Sequence, residues 1–358
     1  WGWVNFPQGE RAGQPLLIGL TEFGEVIRYD PATHEVEILY PEVEPQGVLV
    51  QALEFGPDGR LYLGGYQGGM SVYDPEQGEI VLRYPQFNQP EGIGFFEGNV
   101  YLGTYSSAKI FRFDPAQPGD FGQTPAFNPG LIFTVGHFQD RPFALAGGGG
   151  RLFIGTVPGY GRLGGALSIF DTGTNRWTVK PELIPNESII GLLYHNGKLY
   201  GSTSVFGGLG IRPIEEAATL FIYDPEAGEI VKAVRPEIPG IDQTPRALGA
   251  LSIGPDGKLW VAAGGTIAVL DPETLEVERA RVIHPSNWNL SHYWRPVYLR
   301  WAPDGRLFTT LGRRLTVIDP QTLEAEVWAE TSLMDLGPDG HVYFARGARL
   351  YRLPIDKP

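Results

Sequence analysis

The chain has 358 residues, 42% of them hydrophobic and 12% aromatic, which is ample apolar side chain for a packed core. It contains no cysteine, so disulfides, thiolate nucleophiles and zinc–thiolate centres are excluded together. A formal charge of −13 argues against nucleic acid or an anionic membrane as partner, and no apolar run of about 18 residues offers a transmembrane helix.

Residues 1–6 read as a strand, either the inner strand of a first repeat unit or the outer strand that closes the last one. The phrase that then organises the chain is Gly56-Pro57-Asp58-Gly59-Arg60-Leu61-Tyr62, followed by Val72-Tyr73-Asp74-Pro75. Asp-Gly between alternating apolar residues predicts a two-residue hairpin turn joining two strands, and a third strand ends at the Asp-Pro turn. Copies begin at Gly254, Ala302 and Gly337, and looser ones surround Gly98, Gly150 and Gly197. The acids after the third strands, Asp30, Asp74, Asp114, Asp171, Asp224, Asp271 and Asp319, are 44, 40, 57, 53, 47 and 48 residues apart. That spacing is the length of a four-stranded propeller blade. An eighth unit runs from Ser332 to the end, with a third strand at 349–353 and no room for a fourth. The expected fold is therefore an all-β β-propeller of four-stranded antiparallel blades forming one domain over 1–358. Eight blades are favoured, with seven as the alternative.

No helix is required; residues 214–218 make at most one turn. The Asp-Pro pairs are turn chemistry, because Pro presets φ and Asp bonds to the backbone beyond it. The Gly runs at 147–150 and 207–210 read as turns that need positive φ. Calcium-loop spacing, His-Glu-x-x-His and Gly-x-Ser-x-Gly are all missing. No cofactor and no catalytic metal are expected, although a structural calcium ion is compatible with the composition. The excess of Arg over Lys, with many prolines, leans toward a thermostable protein.

The repeated Gly-Pro-Asp-Gly-Arg-Leu-Tyr … Val-Tyr-Asp-Pro phrase resembles bacterial β-propellers of the PQQ-repeat, NHL and streptogramin-lyase-like type, over essentially the whole chain. That resemblance implies the fold and says little about activity. The Trp-docking phrase of quinoprotein dehydrogenases is absent, which speaks against a quinone. The acidic metal set of gluconolactonase-like propellers is not recognisable either.

Irregular blades should show where a site was built. Blade 4 carries a long connection between its second and third strands at 155–165, and blade 5 one at 201–219. The loops entering the first strands open on the same face and bring Arg141, Arg246 and Arg295 within three aligned positions of one another. Arg162 and Arg212 project from the long loops, and His137, His292, Tyr160, Tyr293, Trp294, Tyr66 and Tyr105 join them. Arginine forks on an acidic protein point to a carboxylate, sulfate or phosphate ligand. The competing structural reading pairs these arginines with Glu91, Glu187 or Asp140. The remaining histidines lie at turns, or beside Pro285 in the case of His284.

Aromatic faces beside Arg suit an acidic sugar. The expected activity is β-elimination on a uronate-containing polysaccharide, with His137 or His292 as base and Tyr160 or Tyr293 as acid. Arg141, Arg162, Arg212, Arg246 and Arg295 would bind substrate together with Trp294, Tyr66 and Tyr105. By residue type and inferred location this set resembles the propeller-fold polysaccharide lyases. The alternatives are a glycoside hydrolase using Glu91 or Glu187 and a non-catalytic binding or scaffold propeller. The expected partner is an acidic carbohydrate, with no nucleic acid and no membrane. The protein is expected to be a monomer in the extracellular or periplasmic space.

Overall fold

The computed structural model describes residues 1–21, 24–41, 47–288, 294 and 297–355. These residues are all-β, and their eight antiparallel sheets match in number and strand order the eight blades that the repeat predicts. Each sheet is a meander of neighbouring strands, seven of them four-stranded and the last three-stranded. The blades cover residues 2–39, 50–84, 89–134, 139–181, 188–234, 251–282, 299–330 and 334–354. A single 3₁₀ turn, Leu311–Arg313, interrupts the strands, and no described helix is long and apolar enough to cross a membrane.

The chain divides into two compact units, Trp1–Gly47 and Val48–Pro358. The first unit is blade 1. Its strand Gly2–Asn5 pairs with Pro15–Leu20, so the N-terminal segment takes the first-strand position of its own sheet. The second unit holds blades 2 to 8. Within it, the inner strands of all seven line one central cavity of about 500 Å³. Blade 8 closes back on blade 2: Leu53 and Leu61 share a core with Phe308 and Leu315 of blade 7 and Met334 and Val342 of blade 8.

The repeat explains this packing. A strand alternates its faces, so Leu61-Tyr62, Leu259-Trp260, Leu307-Phe308 and Val342-Tyr343 each send an aliphatic side chain to one neighbouring blade and an aromatic to the other. All eight side chains are fully buried. An aromatic ring covers roughly 150–250 Å², so one such ring per blade interface contributes heavily to the core. The fourth strands, such as Glu79–Tyr84, are mostly exposed.

The hairpins come in two kinds, where the sequence suggests one. At Pro57-Asp58-Gly59 the Gly56 N–H donates to the Arg60 carbonyl, and Gly59 alone has positive φ, at 76°. This is a three-residue loop ending in a left-handed glycine, not the predicted two-residue turn. Pro57 holds its own φ negative, so the mirror-image turn is closed to it. The looser copies are the two-residue turns: Glu97-Gly98, Gly149-Gly150 and Asn196-Gly197 each have both φ values positive. The turn aspartate does a second job. Asp58, Asp256 and Asp339 accept hydrogen bonds from Tyr62, Trp260 and Tyr343, fixing the buried aromatic of the following strand. The Asp-Pro acids are turn acceptors as predicted, Asp74 taking the N–H groups of Glu76 and Gln77.

Candidate functional site

The two long loops meet. Gly161 N–H donates to the Leu209 carbonyl at 2.8 Å, and Gly208 N–H donates to the Arg162 carbonyl at 2.9 Å. Of the glycines at 207–210, only Gly210 has positive φ. Gly207 and Gly208 are needed for a different reason. A side chain at either position would run into the Arg162 or Gly159 carbonyl of the opposing loop. Likewise Gly147 and Gly148 leave room for the Phe96 and Tyr194 rings of the flanking blades, while Gly149 and Gly150 make the turn. Gly208→Ala is therefore expected to lower stability by about 1–3 kcal/mol, the usual cost of overpacking. Denaturant melts should show it, with the loop face loosened.

Beside this joined loop lies a cavity of about 500 Å³ whose lining includes Tyr105, Phe138, Asp140, Tyr160 and Arg162. Arg141 does not line it but packs against two rings that do, those of Tyr105 and Tyr160. The Arg141 side chain is almost fully buried, with its guanidinium 4.4 Å from the Tyr105 ring centre, 5.4 Å from that of Tyr160 and 5.3 Å from that of Trp294. Its charge is met by Asp140 at 3.0 Å and by the buried Glu91 at 3.7 Å. Glu91 also accepts from the side chains of Gln51 and Gln89. Cation–π contact and paired carboxylates let this cation stay buried, because each replaces part of the lost hydration.

The two tyrosines over Arg141 are shifted in opposite directions. Their hydroxyls lie 3.4 Å apart, and the Tyr160 oxygen also accepts from Arg141 Nη2 at 3.5 Å. The hydrogen bond from Tyr105, reinforced by the one from Arg141, holds the Tyr160 hydroxyl below the usual phenol range. The same bond to Tyr160, with burial behind it, pushes Tyr105 above that range. Tyr160 is 58% exposed and so reachable by a ligand.

The remaining sequence candidates are distributed as follows. Arg162 is exposed, stacks 3.6 Å over the Phe138 ring, and has no ion pair among the described residues. His137 sits in a left-handed conformation (φ 47°) between the lining residues Gly136 and Phe138, but does not itself line the cavity. Trp294 is buried against Phe143 and donates to the Gly207 carbonyl, so it supports the loop junction from beneath. Arg246 lies 4.9 Å over the Phe206 ring and donates to the Trp288 carbonyl. Arg212 is exposed on the blade 5 loop, and Tyr66 is 45% exposed on blade 2, outside the cavity lining. His292, Tyr293 and Arg295 lie outside the described residues.

The sequence reading missed two members. Phe138 supplies the platform for Arg162, and its only signal was its place beside His137 in an entering loop. Arg235 bridges Glu187 and Glu215 at 3.0 and 2.7 Å. Glu187 is fully buried and also accepts from Thr203 and from the backbone and side chain of Thr219. It therefore ties down the blade 5 loop. Glu91 and Glu187 are thus held in buried hydrogen-bond networks, a poor setting for a glycosidase acid that must meet solvent and substrate.

No family model matches the chain, and no curated protein matches it. Among solved structures it is similar to the crystal structure of the computationally designed Ika8 protein, in a P63 packing. The identity is 14%, over 95% of this chain and 93% of that one, with a TM-score of 0.54. At that identity the likeness speaks for the fold alone.

Proposed function

We propose that the long-loop face binds an acidic, uronate-containing saccharide and cleaves it by β-elimination. The observation that carries this reading is the Tyr105–Tyr160 pair, two phenols with hydroxyls 3.4 Å apart that line the cavity together with the exposed Arg162 and lie against the Arg141 guanidinium. Two phenols in hydrogen-bond contact can divide the roles of acid and base between them. Tyr160, as phenolate, takes the proton from C5 of the uronate. The C–H electron pair becomes the C4–C5 double bond, the C4–O bond breaks, and the leaving oxygen takes the proton of Tyr105. The proton on Tyr160 then returns to Tyr105 across their hydrogen bond, which resets the site. Arg162 neutralises the substrate carboxylate and so acidifies C5–H, while Phe138 and Tyr160 offer faces to the sugar ring. Arg141 acts from below, stabilising the Tyr160 phenolate.

On this reading the chain is a propeller of the PQQ-repeat, NHL and streptogramin-lyase-like kind. It works outside the cytoplasm, where such polymers occur, without a cofactor, and its Arg-rich composition suits a heat-tolerant protein. Near-ultraviolet absorbance of unsaturated uronate, measured over a panel of acidic polysaccharides, tests the activity. A rise with at least one polymer is expected. Reducing ends released without that absorbance would replace elimination by hydrolysis, and silence in both assays would sink the catalytic reading.

A further inference from the structure

A second groove, of about 430 Å³, lies between blades 7 and 8, and its lining includes Arg313, Arg314, Glu330, Thr331, Ser332 and Arg346. It is built from the connection between strands two and three of each blade and from the loop entering blade 8. Gly312 and Arg313 both adopt left-handed φ (59° and 62°), and the Arg313 carbonyl accepts the Thr331 N–H at 3.1 Å, which ties the turn to the loop. Arg313, Arg314 and Arg346 are exposed. Among the described residues none of them has an ion pair, although elsewhere Arg60, Arg141, Arg151, Arg235, Arg300 and Arg306 are all paired with carboxylates.

Like charges are even placed together here. Arg346 faces Arg349 across the blade 8 hairpin, a cross-strand pairing that is unfavourable by itself. The lone carboxylate in the lining, Glu330, stands opposite Arg314 in the sheet without forming an ion pair. Three guanidinium groups against one carboxylate leave the groove strongly positive on a chain of net charge −13. The Ser332 hydroxyl, partly exposed beside them, makes no hydrogen bond among the described residues. An uncompensated cluster of this kind is stabilised by an anion that several planar forks can grip at once.

We propose that this groove is an oxyanion site for a negatively charged tetrahedral group, a sulfate ester or phosphate monoester carried on a larger ligand. Arg313, Arg314 and Arg346 grip the oxygens and Ser332 donates a further hydrogen bond. The proposal stands apart from the tyrosine chemistry, and its test needs no turnover. Calorimetric titration would compare dextran sulfate, phosphorylated dextran, polygalacturonate and plain dextran on the wild-type chain, an Arg313→Gln/Arg346→Gln double variant and Arg176→Gln. One of the first two polymers should bind more tightly than polygalacturonate, and plain dextran should not bind. The preferred one names the source of the oxyanion.

The double variant should weaken that binding by roughly tenfold or more, as expected for losing charge-assisted hydrogen bonds. It should also lower the slope of log affinity against log salt by about two, one per released contact. Arg176→Gln, at an exposed arginine outside both cavities, should change neither. An unchanged affinity and salt slope in the double variant overturns the proposal. If the double variant melts well below wild type, Ser332→Ala with single Arg346→Gln replaces it, read against the same two criteria.

Discussion

Replacing Tyr160 with phenylalanine is expected to slow elimination by roughly 10²–10⁴-fold, the usual worth of a positioned proton-transfer group. KM should stay nearly unchanged, because the ring that stacks on the sugar remains and only an interaction made in the transition state is lost. Tyr160 is largely exposed and its hydroxyl makes only long hydrogen bonds, to Tyr105 and Arg141, so the variant should melt close to the wild type. The pH profile adds a readout that a structural role would not move. The limb of kcat that reports Tyr160 should fall below the ordinary phenol range, since Tyr105 and Arg141 both stabilise its phenolate. Tyr105→Phe removes the larger of those two influences and should shift that limb upward. Ultraviolet titration of tyrosinate checks the same shift without substrate. An unshifted limb in Tyr105→Phe, or full activity in Tyr160→Phe, would remove the tyrosine pair from the mechanism.

The second large effect concerns stability at the closure of blades 2, 7 and 8. Arg300 of blade 7 donates to Asp335 of blade 8 at 2.7 Å and lies 3.4 Å from Glu54 of blade 2, while the Phe55 N–H also donates to Asp335. Asp335 is therefore well bonded, and Glu54 holds the weaker share of the cation. Tyr298, whose own ionisation is suppressed by burial, completes the groups facing it. Glu54 keeps 24% of its side-chain surface, but that surface opens on the central cavity, whose walls are mostly Gly, Ala, Leu, Val and Ile. Desolvation there pushes its carboxyl up to about 7, helped by Asp335 and opposed by Arg300.

The direction in pH follows from linkage. A carboxyl whose folded pKa lies above the unfolded value of 4.5 contributes stability that is complete below about 4.5 and is lost as pH rises through about 7. The shift corresponds to about 3 kcal/mol, at 1.36 kcal/mol per unit. Glu54→Gln cannot ionise and still offers Arg300 an oxygen. It should match the wild type near about pH 4 and exceed it by up to about 3 kcal/mol near about pH 8. The difference between the two profiles is the quantity to measure, because His284 works in the opposite sense over part of that window. Burial lowers the His284 pKa, so its contribution is lost as pH falls through the ordinary histidine range. It cancels when the two chains are compared by denaturant melts across pH. Parallel profiles would mean that Glu54 does not titrate in the native cavity.

The arginines show how the site was and was not legible. Arg141 and Arg162 stand out in the sequence for the same reason, as cations on irregular loops of an acidic chain. The structure separates them, since Arg141 is buried between two carboxylates and three rings and Arg162 is open over Phe138. The decisive partners, Glu91 and Tyr105, come from the neighbouring blade, about fifty residues or fewer away, and no local pattern announces that contact. The basic groove at Arg313, Arg314 and Arg346 was invisible for a related reason. Its blades have short, ordinary loops, and length was the cue that drew the eye to blades 4 and 5. The glycines at 207 and 208 look like turn residues because a sequence shows flexibility but not the loop that comes to lie against them.

By itself the sequence determined the all-β class, the blade repeat and its count of eight, the three-stranded last blade and the turn role of the Asp-Pro pairs. All of these rest on local rules, a period of two along each strand and the few residues that turn chemistry allows. Only the tertiary structure decided that Pro-Asp-Gly forms a three-residue loop, that Tyr105 and Tyr160 shift in opposite directions, and that Glu54, Arg300 and Asp335 share one network. Ionisation and pairing depend on distance in space, and the distances that matter here join residues 35 to 246 positions apart in the chain.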